Sequence, residues 1–388
     1  MTLATRLDPL PDLPHAEARS LGLDLLRAAA ILLVMASHYA NNVGYWFHYR
    51  APQRVFFAGD LGVELFFALS GFLIGLILIR IAERQPTARS FGVFMIRRWM
   101  RTLPLYFLWL GMLFWFWPPR QGVAGAAWRF ATLTQNLLQP MPEDYFFAVS
   151  WSLTIEEWFY LLFGSTLILT TRLFRSANIA LLLCLGVFML GPLALRITEL
   201  DYSAQGIGRM KEVFFRIDEI AYGVLMAWLY LRRSWLFRHP WPPLAVGLVL
   251  VAAAWAGHLP LPVSLLPALT YNAVIVGCAL CIPAALRFQR AGEWFAAPVR
   301  LVSALSYGLY IVHLTILVDV TQAMLWGTGR LSAPAAAVFT ATVTLVLAYL
   351  SFRYFEAPIL RRRPGQTFGP SPIRGTSGGA AILRGSSL

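Results

Sequence analysis

Ten mostly apolar stretches follow one another along the chain. They cover about residues 22–42, 60–80, 102–118, 149–170, 177–197, 213–231, 243–258, 264–286, 301–323 and 333–353. A helix of about 20 apolar residues spans the ~30 Å hydrocarbon layer of a bilayer. The pattern therefore predicts an all-α polytopic membrane protein of about ten transmembrane helices. Residues 119–148 break the rhythm, being long, mixed in polarity and interrupted by proline. A loop dipping back into the bundle and one further short span both fit them. Three segments result: a cytoplasmic N-terminal segment over 1–20, a membrane domain over 21–360, and a basic tail over 361–388. The tail is rich in Gly, Ser and Pro and is expected to be disordered in the cytoplasm.

Composition agrees with this reading. Of 388 residues, 58% are hydrophobic and 13% charged, against about 45–50% and about 25% in soluble domains. Mean hydropathy is +0.61. A soluble enzyme, a disordered chain and a coiled coil are excluded. The net charge of +13 is a footprint that nucleic-acid binding also leaves. Here, however, the basic residues lie between apolar stretches, so no nucleic-acid partner is expected. With the N-terminus in the cytoplasm, 22 Lys and Arg fall on the cytoplasmic side and 8 outside, as the positive-inside rule requires. Both termini are then cytoplasmic, in a multi-pass membrane protein. Residues 1–20 hold Pro11 and Pro14 and lack the basic, apolar and small-residue succession of a signal peptide. Cys278 and Cys281 form a C-x-x-C inside an apolar run, where packing is the ordinary use of cysteine. No metal site is expected.

Charges inside spans are costly, and they mark function unless they pair structurally. The first span carries Asp24, Arg27 and His38. Arg27 and His38 are eleven residues apart, which leaves them about 20° from overlap on one helix face and about 16 Å apart along it. That stripe suits an anion below and proton chemistry above; a plain interhelical hydrogen bond for His38 fits equally. Glu64 lies one turn inside the second span, whose Gly71 and Gly75 form a small-xxx-small contact face. Arg98 and Arg101 share a face at the start of the third span, with Arg97 beside them. Guanidinium forks bind phosphate bidentately, and membrane-surface anchoring is the alternative. Glu156 and Glu157 are 100° apart and must face different surroundings; Glu156 falls at a depth similar to His38. In the sixth span Arg216 and Asp218 are too close to face one another, so each needs a partner on another helix, while Glu219 is placed to pair with Arg216. His313 sits near mid-membrane in the ninth span, completing a polar cavity or bonding a backbone carbonyl.

In order, these motifs resemble the integral-membrane acyltransferase-3 family. LDLLRAAAILLVMASH, GVELFFALSGFLIG, the R-x-x-R of Arg98 and Arg101, SWSLTIEEWFY, LSYGLYIVH and FEAP at 355–358 each resemble a family motif, spread over about residues 20–360. The sequence departs from the pattern in LDLLR, where a glycine often precedes the arginine, and at Trp158, where glutamine is frequent. The extracytoplasmic hydrolase-like domain of some members is not expected here.

The resemblance implies an O-acyltransferase. It would move an acyl group, most often acetyl, from cytoplasmic acyl-CoA to a hydroxyl of a carbohydrate or glycolipid acceptor at or beyond the outer face. Acyl-CoA would be a co-substrate, with no permanently bound cofactor. His38 would be the general base, with Glu156 assisting; Arg98 and Arg101 would hold the CoA phosphates, with Arg27 along the donor channel. Asp24, Glu64, Glu157, Asp218 and His313 would line the substrate path. A proton-coupled transporter or flippase of a lipid-linked glycan is the competing reading, since buried His, Glu and Asp also suit proton relays.

Overall fold

Helices occupy all ten apolar stretches. No strand occurs among the described residues of this computed structural model, which are 20–46, 54–116, 127–137, 146–199, 210–257, 266–321 and 332–365. The elements run α1 (Leu21–Trp46), α2 (Arg54–Arg84), α3 (Ala88–Phe116), a short α4 (Ala127–Ala131), α5 (Ser150–Phe174), α6 (Ala177–Thr198), a one-turn α7 (Val213–Arg216) and α8 (Asp218–Leu231). They continue with a one-turn α9 (Trp235–Arg238), α10 (Trp241–Ala256), α11 (Leu266–Leu280), a one-turn α12 (Ile282–Ala285), α13 (Glu293–Thr315), α14 (Ala333–Ser351) and α15 (Ala357–Arg361). A π-helical turn over Ile316–Thr321 extends α13, and another over Phe352–Glu356 joins α14 to α15.

Among the described residues, six helices are long and apolar enough to cross a membrane: Leu21–Asn42, Phe57–Arg84, Ala177–Thr198, Ala268–Ala285, Glu293–Val318 and Pro334–Arg361. The chain is a multi-pass membrane protein. α3 and α5 carry the arginines and glutamates of the site, and α8 has only 14 residues.

Three sequence expectations change. The third helix begins at Ala88 rather than near 102, so Arg97, Arg98 and Arg101 lie within it and Pro104 is internal. Its first turn is capped by Thr87, whose Oγ1 accepts from the Ser90 amide at 3.1 Å, and Phe94 and Met95 are buried. The stretch 213–231 is broken at Ile217, and the Phe215 carbonyl near the break accepts instead from Arg196. Of the stretch 119–148, the described part packs inward without forming a span-length helix. Phe130, Leu133, Gln135 and Asn136 are buried. Asn136 Nδ2 donates to the Trp151 and Lys211 carbonyls at 3.0 and 2.6 Å.

Neighbouring helices run in consistent directions. α1 and α13 are parallel, since Arg27 meets Ser303 while His38 meets His313. α3 and α5 are antiparallel, with Phe91 against Gly164 and Thr102 against Glu157. α13 and α14 are antiparallel, with Gly308 against Ala348 and Thr321 bonded to Thr340.

A close glycine seam joins α2 and α8, which run parallel. A Cβ on Gly71 would stand 2.0 Å from the Ile220 carbonyl oxygen, and one on Gly223 would stand 2.3 Å from that of Ala68. Only glycine permits this contact, so the small-xxx-small face at Gly71 and Gly75 is used as its sequence indicates. Gly71→Val is expected to collapse the monodisperse peak in detergent size-exclusion chromatography. Overpacking costs about 1–3 kcal/mol where neighbours can shift, and here the neighbour is backbone. Gly111→Val, where a Cβ would meet nothing within 4 Å, is expected to leave the peak intact.

Candidate active site

α1 and α13 supply the two ends of the site. At one end, Asp24 Oδ1 accepts from Ser303 Oγ at 2.5 Å, Arg27 Nη1 donates to Ser303 Oγ at 3.3 Å, and Arg27 lies 3.6 Å from Asp24 Oδ1. At the other end, the rings of His38 and His313 stack at 5.0 Å, and His38 Nδ1 lies 2.7 Å from His313 Nε2. The shared face of Arg27 and His38 is therefore the face turned to α13.

The backbone assigns the protons of this histidine pair. His313 is fully enclosed, at 0% exposure. Its Nδ1 lies 3.0 Å from the Leu309 carbonyl oxygen and 2.9 Å from that of Tyr310. Both are acceptors only, so Nδ1 of His313 carries the proton. In the singly protonated ring Nε2 is then an acceptor, and His38 Nδ1–H donates to it. That leaves Nε2 of His38, a half-buried residue, with the available lone pair.

A cavity of about 170 Å³ lies toward the Arg27 end. Arg27, Arg98, Arg101, Glu156, Tyr160 and Tyr310 are among its walls. Arg98 stacks over the Tyr160 ring at 5.4 Å. Glu156 accepts from Tyr160 Oη at 3.0 Å, and that hydroxyl is 2.5 Å from Ser70 Oγ. Among the described residues, neither the Arg98 nor the Arg101 guanidinium has a hydrogen bond or ion pair. Tyr310 stands between the two regions: it lines the cavity, bonds Ser152 Oγ at 2.6 Å, and holds its ring 6.0 Å from that of His313.

The structure thus brings Arg27, Arg98, Arg101 and Glu156 to one cavity, and His38 and His313 to one pair. His38 bonds His313 rather than Glu156. Glu157 turns away from Glu156, as the 100° between neighbours requires, and accepts from Thr102 Oγ1 on α3 at 2.7 Å. Glu64 and Asp218 lie elsewhere, in closed ion pairs. Arg216, at 3% exposure, donates to Glu64 and, at 2.6 Å, to Glu219; its guanidinium sits 4.8 Å over the Trp151 ring. Arg196, at 1% exposure, grips Asp218 at 2.8 and 2.5 Å and also donates to Asn272 at 2.9 Å. Arg216 and Asp218 each find a partner on another helix, as their spacing demands.

Sequence reading alone leaves out Arg196 as a buried partner, and Tyr160, Tyr310 and Ser152 as site residues. The FEAP carboxylate, Glu356, is a further omission: it is buried beside Gly308, and its Oε1 has no partner among the described residues. A Tyr four residues after Glu156 on one helix is the signal that marks Tyr160.

The chain matches the family described as an acyltransferase domain over residues 20–353. Peptidoglycan O-acetyltransferase OatA of Listeria monocytogenes is 23% identical over 386 residues, covering 87% of this chain and 55% of that protein. The chain therefore spans about half the length of that relative. Exopolysaccharide production protein ExoZ of Rhizobium meliloti is 27% identical over 326 residues, covering 79% of this chain and 91% of that protein. No solved structure matches the chain.

Closed and open charges should respond oppositely to removal. Arg216→Leu strands two buried carboxylates and is expected to cost about 3–5 kcal/mol, read as a large drop in melting temperature in detergent. Arg98→Gln removes a charge with no hydrogen bond or ion pair among the described residues and is expected to leave the melting temperature unchanged or higher. Equal losses would contradict the division.

Proposed function

Because the chain belongs to the acyltransferase family, we propose that it is a membrane O-acyltransferase carrying an acyl group, most simply acetyl, from cytoplasmic acyl-CoA to a carbohydrate hydroxyl. The observation that carries this reading is the adjacency of a cavity, where Arg98 and Arg101 have no hydrogen bond or ion pair among the described residues, and a proton-ordered histidine pair, with Tyr310 between them. The carbohydrate acceptor rests on the names of the two relatives, one a peptidoglycan O-acetyltransferase and the other an exopolysaccharide production protein.

Ten crossings with both termini cytoplasmic complete the reading. The 22-to-8 split of basic residues supports them. So do the helix directions, since α1 with α13 and α2 with α8 run parallel, as even separations in a strict alternation require. In that frame the arginine-lined cavity faces the cytoplasm and the histidine pair lies toward the outer face of the bacterial inner membrane. Arg98 and Arg101 take donor phosphates through guanidinium forks, and Arg27 lines the route of the pantetheine arm. Glu156, beside that route, accepts from the amide N–H groups of the arm.

The acceptor hydroxyl gives its proton to Nε2 of His38 as its oxygen attacks the thioester carbon. The tetrahedral adduct then collapses, the C–S bond breaks, and the proton passes from His38 to the departing thiolate. His313 orients the His38 ring and fixes its tautomer through Nδ1. The same Nε2 is the nucleophile if the acyl group is first taken onto the ring.

Reconstituted protein with radiolabelled acetyl-CoA and glycan extracts tests the reading. Wild type is expected to place label in a base-labile ester. His38→Ala is expected to lose transfer about 100-fold or more, the scale of general acid–base catalysis, while still inserting in the membrane. His313→Ala is expected to lower kcat and leave the donor KM unchanged, whereas Arg98→Ala with Arg101→Ala raises the donor KM. Full activity in His38→Ala would refute the mechanism. No labelling together with no CoA binding would favour proton-coupled transport of a lipid-linked glycan.

A further inference from the structure

Where the chain leaves the bundle, Arg363 follows α15 and turns back toward α3. The turn is held by Arg97, whose Nη1 donates to the Pro364 carbonyl, and by the Arg362 amide, which donates to the Ile359 carbonyl at 3.0 Å. Segments 267 residues apart in the chain are thereby joined. Nε and Nη2 of Arg363 are enclosed, and among the described residues they have no hydrogen-bond acceptor. Burying guanidinium donors without acceptors is unfavourable.

The surroundings make this worse. Arg101, Arg98 and Arg97 all repel the Arg363 charge, and burial together with that repulsion pushes its pKa down to about 9. The carboxylates within electrostatic reach of Arg98 and Arg101 are Glu156, Glu157 and Glu356. Four arginines thus converge with fewer negative charges than positive ones. Such an excess of positive charge, with buried donors left open on Arg363, makes the cluster a site for an anion.

Order along the site identifies that anion. A coenzyme A thioester is a linear molecule: acyl group, pantetheine arm, pyrophosphate, then the nucleotide with its ribose 3′-phosphate. Arg98 and Arg101 line the cavity, while Arg363, within electrostatic reach of both, lies outside its lining. We propose that Arg363 binds the ribose 3′-phosphate of the donor and makes the enzyme selective for coenzyme A over its dephosphorylated form. This rests on the acyl-CoA reading above, taking the thioester toward His38 and the pyrophosphate at Arg98 and Arg101.

The test compares acetyl-CoA with acetyl-3′-dephospho-CoA as donors for the full-length reconstituted protein. Wild type is expected to show a KM at least roughly ten-fold lower for acetyl-CoA, the scale of one charge-assisted hydrogen-bond set. Arg363→Gln is expected to raise the acetyl-CoA KM to that of the dephospho donor, leaving kcat and the dephospho KM unchanged. Arg363→Lys, which keeps the charge and the fold, is expected to retain part of the preference, and Arg362→Gln all of it. A wild type that uses acetyl-CoA without preferring the 3′-phosphate would overturn the assignment. So would Arg363→Gln with an undiminished preference, or with both donors weakened equally. If wild type uses neither donor, the acyl-CoA reading itself fails, which is a separate outcome.

Discussion

His38 and His313 are 275 residues apart in the chain and 2.7 Å apart in space. Holding them there sets the terms for the rest of the bundle. A ring-to-ring hydrogen bond tolerates little sliding between α1 and α13, because a shift of one residue moves a helical side chain by 1.5 Å and 100°. The register is fixed a second time at the other end of the same two helices, by Asp24, Arg27 and Ser303. Parallel neighbours cannot be joined by a short loop, so the chain between them must cross back and forth and return. The close seam of α2 and α8 and the inward packing of residues 127–137 are parts of that return.

The buried charges divide into two kinds by what they touch. Arg196 and Arg216 have carboxylates, amides or aromatic faces on all sides, and in a medium without water such charges can only be framework. Arg98 and Arg101 have a tyrosine ring, a cavity and carboxylates within electrostatic reach, but no hydrogen bond or ion pair among the described residues. The same residue type at comparable depth therefore has opposite meanings. Partner geometry decides between them, while depth does not.

That distinction also marks how much could be read from the sequence. Geometry within one helix was legible, because 100° per residue is fixed. The common face of Arg27 and His38, the divergence of Glu156 from Glu157, the Arg216–Glu219 pair and the small face at Gly71 all follow from it. Geometry between helices was not, since it depends on which neighbours pack and how each is rotated. The spacing of Glu64 and Asp218 resembles that of channel residues, yet both are in closed pairs. Depth placed Glu156 level with His38, yet it faces the arginines. The early start of α3 was hidden because its first turns pack apolar residues among basic ones, which lowers the hydropathy that defined the stretch.

On the proposed reading, a thioester reaching across an apolar layer must be kept from water until the acceptor arrives, and a proton-ordered histidine must be kept from becoming a proton leak. The region between the two halves of the site serves both requirements. Tyr310 is bonded to Ser152 and Tyr160 to Ser70, so these hydroxyls at the cavity are already paired. Phe66 meets the Tyr310 ring edge-on at 6.2 Å and lines the same cavity. With the His313 proton held by two backbone carbonyls, passing a proton inward from His38 would mean breaking those bonds in a fully enclosed ring. Passing it to a departing thiolate at His38 breaks none of them. On that reading, the same hydrogen bonds that set the tautomer would direct the proton to the reaction rather than through the membrane.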